Sequence, residues 1–332
     1  WLDRVGAAQL RSSRRYPRLF SGGWGDLDFL DRVGESIRDP RPHPEIELTW
    51  SSWRGEMGGL VARAGWFTSP DPDLPPESRR AVLQLLSSAV APNRVVILFA
   101  AHNDHGYETR MRLGRHLVEH DIASLILENP FYGRRQRLDG RAVTTVAELL
   151  VMGRAAVTEG RALVAALRAQ GVDEIGVSGF SMGGTIAALV SSLSSGPLAT
   201  IPLAAAHSPA AAYTEGVLSK AVDWEALGGS GASAKLADVL DWASVLRIAP
   251  PPHTATAMLA APSGDAYVPA HAVEALHRHW PGSELRWLPG GHVSVGLRGA
   301  RTQAAIIAEG FYRASHEADE APLSHLDQRS EQ

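Results

Sequence analysis

Between Arg94 and Arg313 the chain alternates short, continuous apolar runs with longer stretches of helical periodicity, and that alternation leaves few folds open. Arg94 to Ala100, Ala123 to Leu127, Glu174 to Ser178, Thr200 to Ala204 and Ala255 to Leu259 read as strands covered on both faces. Glu284 to Trp287, which alternates, is a sixth. The helical patterns fall at Glu108 to His120, Thr144 to Gln170, Gly184 to Leu193, Ala270 to His279 and Leu297 to Arg313. Two earlier strands, Ile46 to Trp50 and Leu60 to Trp66, are expected to pair antiparallel at one edge. The expectation is a doubly wound α/β fold with a mostly parallel sheet, whose ligand sites lie at the carboxyl ends of the strands.

About fifty residues separate the strand near Ala204 from the one near Ala255, more than a direct crossover takes. Residues 207–252 are therefore expected to form an inserted helical cap. Val217, Leu218, Val222, Trp224 and Leu227 would supply its apolar lining, and the GGSGAS stretch at 228–233 a joint on which it moves. Around it the pattern predicts an N-terminal extension over 1–43 packed on the core, one α/β domain over 44–315, and a disordered tail over 316–332. SPDPDLPPES reads as a surface loop.

Residues 174–190 read EIGVSGFSMGGTIAALV: a strand, a Gly-Phe-Ser-Met-Gly turn, then a small-residue helix. This is the G-x-S-x-G elbow that exposes a serine at a sharp strand-to-helix reversal. A serine hydroxyl needs a base to take its proton, and the base needs a carboxylate to orient it. Two later strand ends supply them in order. AAPSGDAYVP offers Asp265, and LPGGHVSV offers His292 behind two glycines. Asp173, which precedes its strand, and Asp241, which sits in the insertion, are weaker candidates for the acid. The oxyanion donors would be the backbone N–H of Met182 and one from the AHNDHGYETR loop, at His102 or Asn103.

That loop also raises a rival reading. His102, Asp104 and His105 match the end of the H-x-H-x-D-H pattern of dinuclear metallohydrolases, but Ala100 stands where the first histidine belongs. No metal or organic cofactor is expected, and the two polar residues Asp104 and His105 read as a local hydrogen-bond network.

Composition narrows the remaining classes. A formal net charge of -4 without a basic run argues against nucleic acid. The absence of cysteine removes thiolate catalysis and cysteine-bound zinc. No apolar stretch reaches the roughly 18 residues that span a bilayer, so no integral membrane segment is expected, although peripheral lipid contact stays open. Cytoplasmic is the default compartment; the sequence starts at Trp1, so a removed targeting segment also stays open.

The blocks LFSGGWGD, GWFTSPDPDLPPESR, NDHGYETRMRL, ASLILENPFYGRR, GFSMGG and YTEGVLSKAVDWEAL resemble, in order, those of the abhydrolase-domain-containing-18 family of the α/β-hydrolase superfamily. The resemblance implies an α/β-hydrolase fold and a serine hydrolase acting on acyl esters, lipid-like ones included. Ser181 would be the nucleophile, with Asp265 and His292 as its partners. Thioesterase or acyltransferase chemistry on the same triad, or a non-catalytic binding protein, are the alternatives. Ala101, His102 and Asn103 depart from the glycines and threonine of the family. In the ENPFYGRR loop, Arg134 and Arg135 either bind an anionic group of the substrate or are solvated arginines. Phe131 and Tyr132 either wall an acyl pocket or pack in the core.

Overall fold

In a computed structural model the described residues are 2–3, 18–40, 45–52, 55–57, 60–140 and 143–320. Among them lies one sheet of ten strands. These are β1 (Thr49–Trp50), β2 (Gly55–Met57), β3 (Leu60–Thr68), β4 (Arg80–Ser87), β5 (Arg94–Phe99), β6 (Ala123–Leu127), β7 (Glu174–Phe180), β8 (Ala199–Leu203), β9 (Met258–Pro262) and β10 (Glu284–Leu288). Their order is β1-β3-β4-β6-β5-β7-β8-β9-β10, with β2 paired to β3. Pairing is antiparallel up to β4–β6 and parallel from there on. The chain leaves β5 for β6 on one side and returns to β7 on the other. The strand order thus reverses beside β5, and the crevice of a doubly wound sheet opens at such a reversal.

The helices are α1 (Leu27–Ser36), α2 (Pro76–Arg79), α3 (Glu108–Val118), α4 (Val146–Ala169), α5 (Met182–Leu193), α6 (Ala210–Thr214), α7 (Ala232–Leu240), α8 (Ala270–His279), α9 (His292–Arg298) and α10 (Ala300–Glu320). The period-two geometry of β5 sorts them into layers. Val95, Ile97 and Phe99 share one buried cluster with α4, α5 and α8, while Val96 and Leu98 share another with α3 and α10. α4 starts at a capping box, in which Thr145 accepts from the Glu148 N–H and Glu148 accepts from the Thr145 N–H.

Four expectations shift. β4 is a strand beyond those expected from the sequence, held by its pairing with β3 and β6. β9 starts three residues later than the apolar run, since Thr254–Thr256 closes a 3-10 turn in which both threonine hydroxyls donate to backbone carbonyls. The last helical pattern divides at Gly299, where a side chain would collide with the Val295 carbonyl. α10 then continues to Glu320, beyond residue 316 where the tail was expected to begin; 321–332 lie outside the described residues.

The segment between β8 and β9 holds α6, α7 and several 3-10 turns. Its Tyr213, Leu218, Val222, Leu236 and Leu240 form one buried cluster with α1 and the first half of α4. The backbone of Leu19 ties the N-terminal segment to it, donating to Ala221 at 2.9 Å and accepting from Asp223 at 2.8 Å. Within GGSGAS, Gly228, Gly229 and Gly231 have φ of 100°, 72° and 82°, so they form the left-handed turn that leads into α7.

Candidate active site

Ser181 sits between β7 and α5 with φ 59° and ψ -123°, a region that non-glycine residues rarely enter. The strain is carried by the serine itself. The glycines around it serve close approach instead: a Cβ on Gly179 would lie 2.6 Å from the Gly183 backbone, and one on Gly184 2.6 Å from the Leu203 carbonyl. On Gly183 it would collide with the Phe99 carbonyl. These contacts press the turn against β5 and β8 and hold Ser181 above the sheet, with its N–H donating to Leu203 at 2.8 Å.

The loops after β9 and β10 bring Asp265 and His292 together. His292 Nδ1 lies 2.7 Å from Asp265 Oδ2, and Asp265 Oδ1 accepts the N–H groups of Tyr267 and Val268 at 2.8 and 2.9 Å. Both oxygens of the carboxylate are engaged, and as an acceptor toward the ring Oδ2 favours the tautomer with N–H at Nδ1, which leaves Nε2 as the ring nitrogen not held by Asp265. Tyr267 stacks on one side of the ring and Phe180 tilts against it, each at 4.8 Å between centroids. Ser181 and His292 line one cavity at the carboxyl end of the sheet, together with Asn103, Arg110 and Tyr267. A second, mainly apolar cavity also reaches Ser181, from between α4, α5 and the 209–218 stretch. Leu149, Leu150, Ile186, Met182 and Leu218 contribute to its wall.

Of the backbone donors expected for an oxyanion, the N–H groups of Met182 and His102 have no acceptor among the described residues. Asn103 differs: its N–H already donates to the Tyr132 hydroxyl at 3.2 Å. The rest of that loop is a hydrogen-bonded network. Asp104 pairs with Arg110 at 2.8 Å, and His105 accepts from the Gly133 N–H at 3.1 Å while stacking on Tyr132. Among the described residues no group of three His, Asp or Glu side chains could hold a metal ion.

The His102 ring meets both cavities, and its pKa is lowered to about 4, first by burial and then by His105. Between about 6.5 and 4 the unfolded chain's imidazole takes up a proton that the buried ring does not, so the fold loses stability as pH falls through that range. His102→Gln is expected to flatten that part of the stability curve, measured by urea unfolding at stepped pH. An unchanged slope would assign the acid sensitivity to other groups.

A family model described as alpha/beta hydrolase domain containing 18 matches residues 17–240 and 230–313. The chain belongs to this family. Among solved structures, this alpha/beta hydrolase is similar to acetyl xylan esterase 1 from Thermoanaerobacterium sp. JW/SL YS485, at 15% identity and a TM-score of 0.57 over 92% of this chain and 98% of that one. An acetyl xylan esterase from Paenibacillus sp. R4 matches at 14% identity and a TM-score of 0.52, over 86% and 93%. A PEG-bound cold-adapted esterase from an Arctic intertidal metagenomic library matches at 15% and 0.50, over 78% and 99%. At these identities the likeness is one of fold.

In this alpha/beta hydrolase most residues of the ENPFYGRR loop turn inward, Arg134 excepted. Arg135 is fully buried and grips both oxygens of the equally buried Glu159 at 2.5 and 2.8 Å. The same guanidinium donates to the carbonyls of Ser78 and Glu128. It cannot meet a substrate anion, which corrects that expectation. Arg134 is exposed, with its guanidinium 5.6 Å from the Tyr107 ring centroid. Phe131 and Tyr132 are core residues that line neither cavity, so the pocket-wall reading gives way to packing and, for Tyr132, to holding Asn103. Trp224 also stands apart from both cavities: its Nε1 donates to the Ser219 carbonyl at 3.0 Å within the cluster shared with α1 and α4. Of the five apolar cap residues expected as lining, Leu218 alone reaches the cavities that meet Ser181. No helix among the described residues is long and apolar enough to cross a membrane.

Proposed function

We propose that the protein is a serine hydrolase that cleaves a carboxylic ester through an acyl-enzyme on Ser181. The observation that carries this reading is the 2.7 Å pair of His292 Nδ1 and Asp265, whose His292 lines the same cavity as a serine on a strained elbow. His292 Nε2 takes the Oγ proton as Oγ attacks the ester carbonyl. The tetrahedral oxyanion is met by the N–H groups of Met182 and His102. Collapse forms the Ser181 ester and releases the alcohol, which receives its proton from His292. Water then repeats the sequence and frees the acid.

Two cavities meeting at the serine suit the two halves of an ester. The apolar one suits the acyl chain, lipid-like chains included, and the more polar one beside His292 suits the alcohol. Thioesters and acyl transfer to another alcohol fit the same machinery, and a panel of acceptors separates them. The apolar wall makes a specific expectation. Leu218→Ala should raise kcat/KM for long p-nitrophenyl esters relative to the acetate, whereas Trp224→Ala should lower stability and leave the chain-length profile alone. A profile shifted by Trp224→Ala and unmoved by Leu218→Ala would place the acyl chain elsewhere.

Oxyanion roles separate in the same assay. Tyr132→Phe frees the Asn103 N–H without touching His102, so turnover should stay within about twofold if His102 is the second donor. A clear rise in turnover, as the freed N–H joins the oxyanion site, would instead assign the second donor to Asn103.

A further inference from the structure

The first turn of α9, which carries His292, begins at Gly291, a residue with no side chain to accept the exposed amides. The acceptor comes from the other end of the chain. Asp3, 289 residues before His292, is 4% exposed and places its carboxylate against that turn. Its Oδ2 accepts the His292 N–H at 2.9 Å and its Oδ1 the Val293 N–H at 2.9 Å. Oδ2 also accepts the Ala266 N–H at 3.1 Å, from the residue after Asp265. A Cβ on Gly291 would lie 2.8 Å from Asp3 Oδ2, so the glycine is what admits the carboxylate.

We infer that Asp3 is a positioning residue for the reaction, a buried carboxylate that locks the loop of the base to the loop of the acid. The inference rests on the reading of Ser181, His292 and Asp265 proposed above. Apart from the His292–Asp265 bond itself, the backbone ties between the two loops stop short of the reacting groups: Ser263 N–H to Leu288 and Gly264 N–H to Gly290 join their stems. Asp3 holds the backbone of His292 itself. Bonds from amides to a carboxylate are charge-assisted, and loss of the acceptor leaves three amides unpaired next to the catalytic pair. Asp3 also adds negative charge on the side of the site where imidazolium forms. Tyr267, stacked on His292, registers it: its phenol is pushed up by burial and then by Asp3 and Asp265.

The test uses the rate at which a fluorophosphonate labels Ser181, which needs no knowledge of the natural substrate. Asp3→Ala should slow labelling about tenfold to a hundredfold, the cost of a misplacement on the order of 1 Å. Asp3→Asn keeps the volume, removes the charge and leaves one oxygen to accept while its NH2 faces a backbone N–H, so its labelling should also slow. The acid limb of its pH profile should move to lower pH, because imidazolium loses a stabilising neighbour; Asp265, Tyr267 and Phe180 still face the ring. In ester hydrolysis kcat should fall with KM nearly unchanged. If Asp3→Ala fails to fold, Asp3→Asn decides. Wild-type labelling rate and an unmoved acid limb in a folded Asp3→Asn variant would overturn the inference alone. No labelling of the wild-type protein would bring down the triad reading, and this inference with it.

Discussion

Asp265→Asn is expected to lower ester turnover on the order of 10⁴-fold while leaving the protein folded. The size follows from what the carboxylate does here. Its Oδ2 accepts from His292 Nδ1, and in the proposed reaction that leaves Nε2 as the base toward Ser181. An amide in its place can present N–H instead of oxygen to Nδ1, which favours the tautomer with its proton on Nε2, where no base remains. Oδ1 accepts from Tyr267 and Val268, and an Asn side-chain carbonyl can keep those two bonds, so the loop should hold its shape. Stopped assays with p-nitrophenyl esters, together with an unfolding midpoint near wild type, check both halves. Full activity in Asp265→Asn would move the acid to another residue.

Glu159→Ala should produce the largest loss of stability, about 3 to 5 kcal/mol, because it leaves a buried guanidinium without its counter-charge. Both partners are fully enclosed, and Arg135 draws together three parts of the chain: α4 through Glu159, the turn at Ser78, and the end of β6 at Glu128. The Ser78 hydroxyl closes the circuit, donating to the Arg135 carbonyl at 2.6 Å and accepting from the Phe131 N–H at 3.1 Å. Tyr132, which holds the Asn103 loop, lies within this unit. Urea unfolding of Glu159→Ala measures the effect. A loss below about 1 kcal/mol, the value of an exposed pair, would show that the guanidinium reaches water.

What the sequence made legible follows from which signals are local. The strand-end loops with Asp265 and His292 could be read because parallel strands deliver successive loops to one edge, so position along the chain translates into position in space. Elbow glycines were legible as a turn, although their physical role is to let three strands and a helix touch while Ser181 carries the strain. The ENPFYGRR block was legible as a distinctive motif, but not as a buried ion pair. Its partner Glu159 lies inside an unrelated helical pattern, and nothing local marks one glutamate of an amphipathic helix as enclosed. Trp224 failed similarly: an apolar residue in an insertion can face a cavity or a neighbour, and here α1 and α4 supply the neighbour. Asp3 was out of reach for a different reason. Its three hydrogen bonds join residues more than 260 positions apart, and a lone aspartate near the start of a chain carries no periodic signal.

The most direct test of the central claim is to treat the protein with a fluorophosphonate probe and locate the adduct by peptide mass spectrometry, in wild type, Ser181→Ala and His292→Ala. The account predicts a single adduct on Ser181 in the wild-type protein, none in Ser181→Ala, and labelling slowed by orders of magnitude in His292→Ala, with ester hydrolysis lost in step and unaffected by EDTA. An adduct on another residue, or hydrolysis that survives Ser181→Ala, would contradict it.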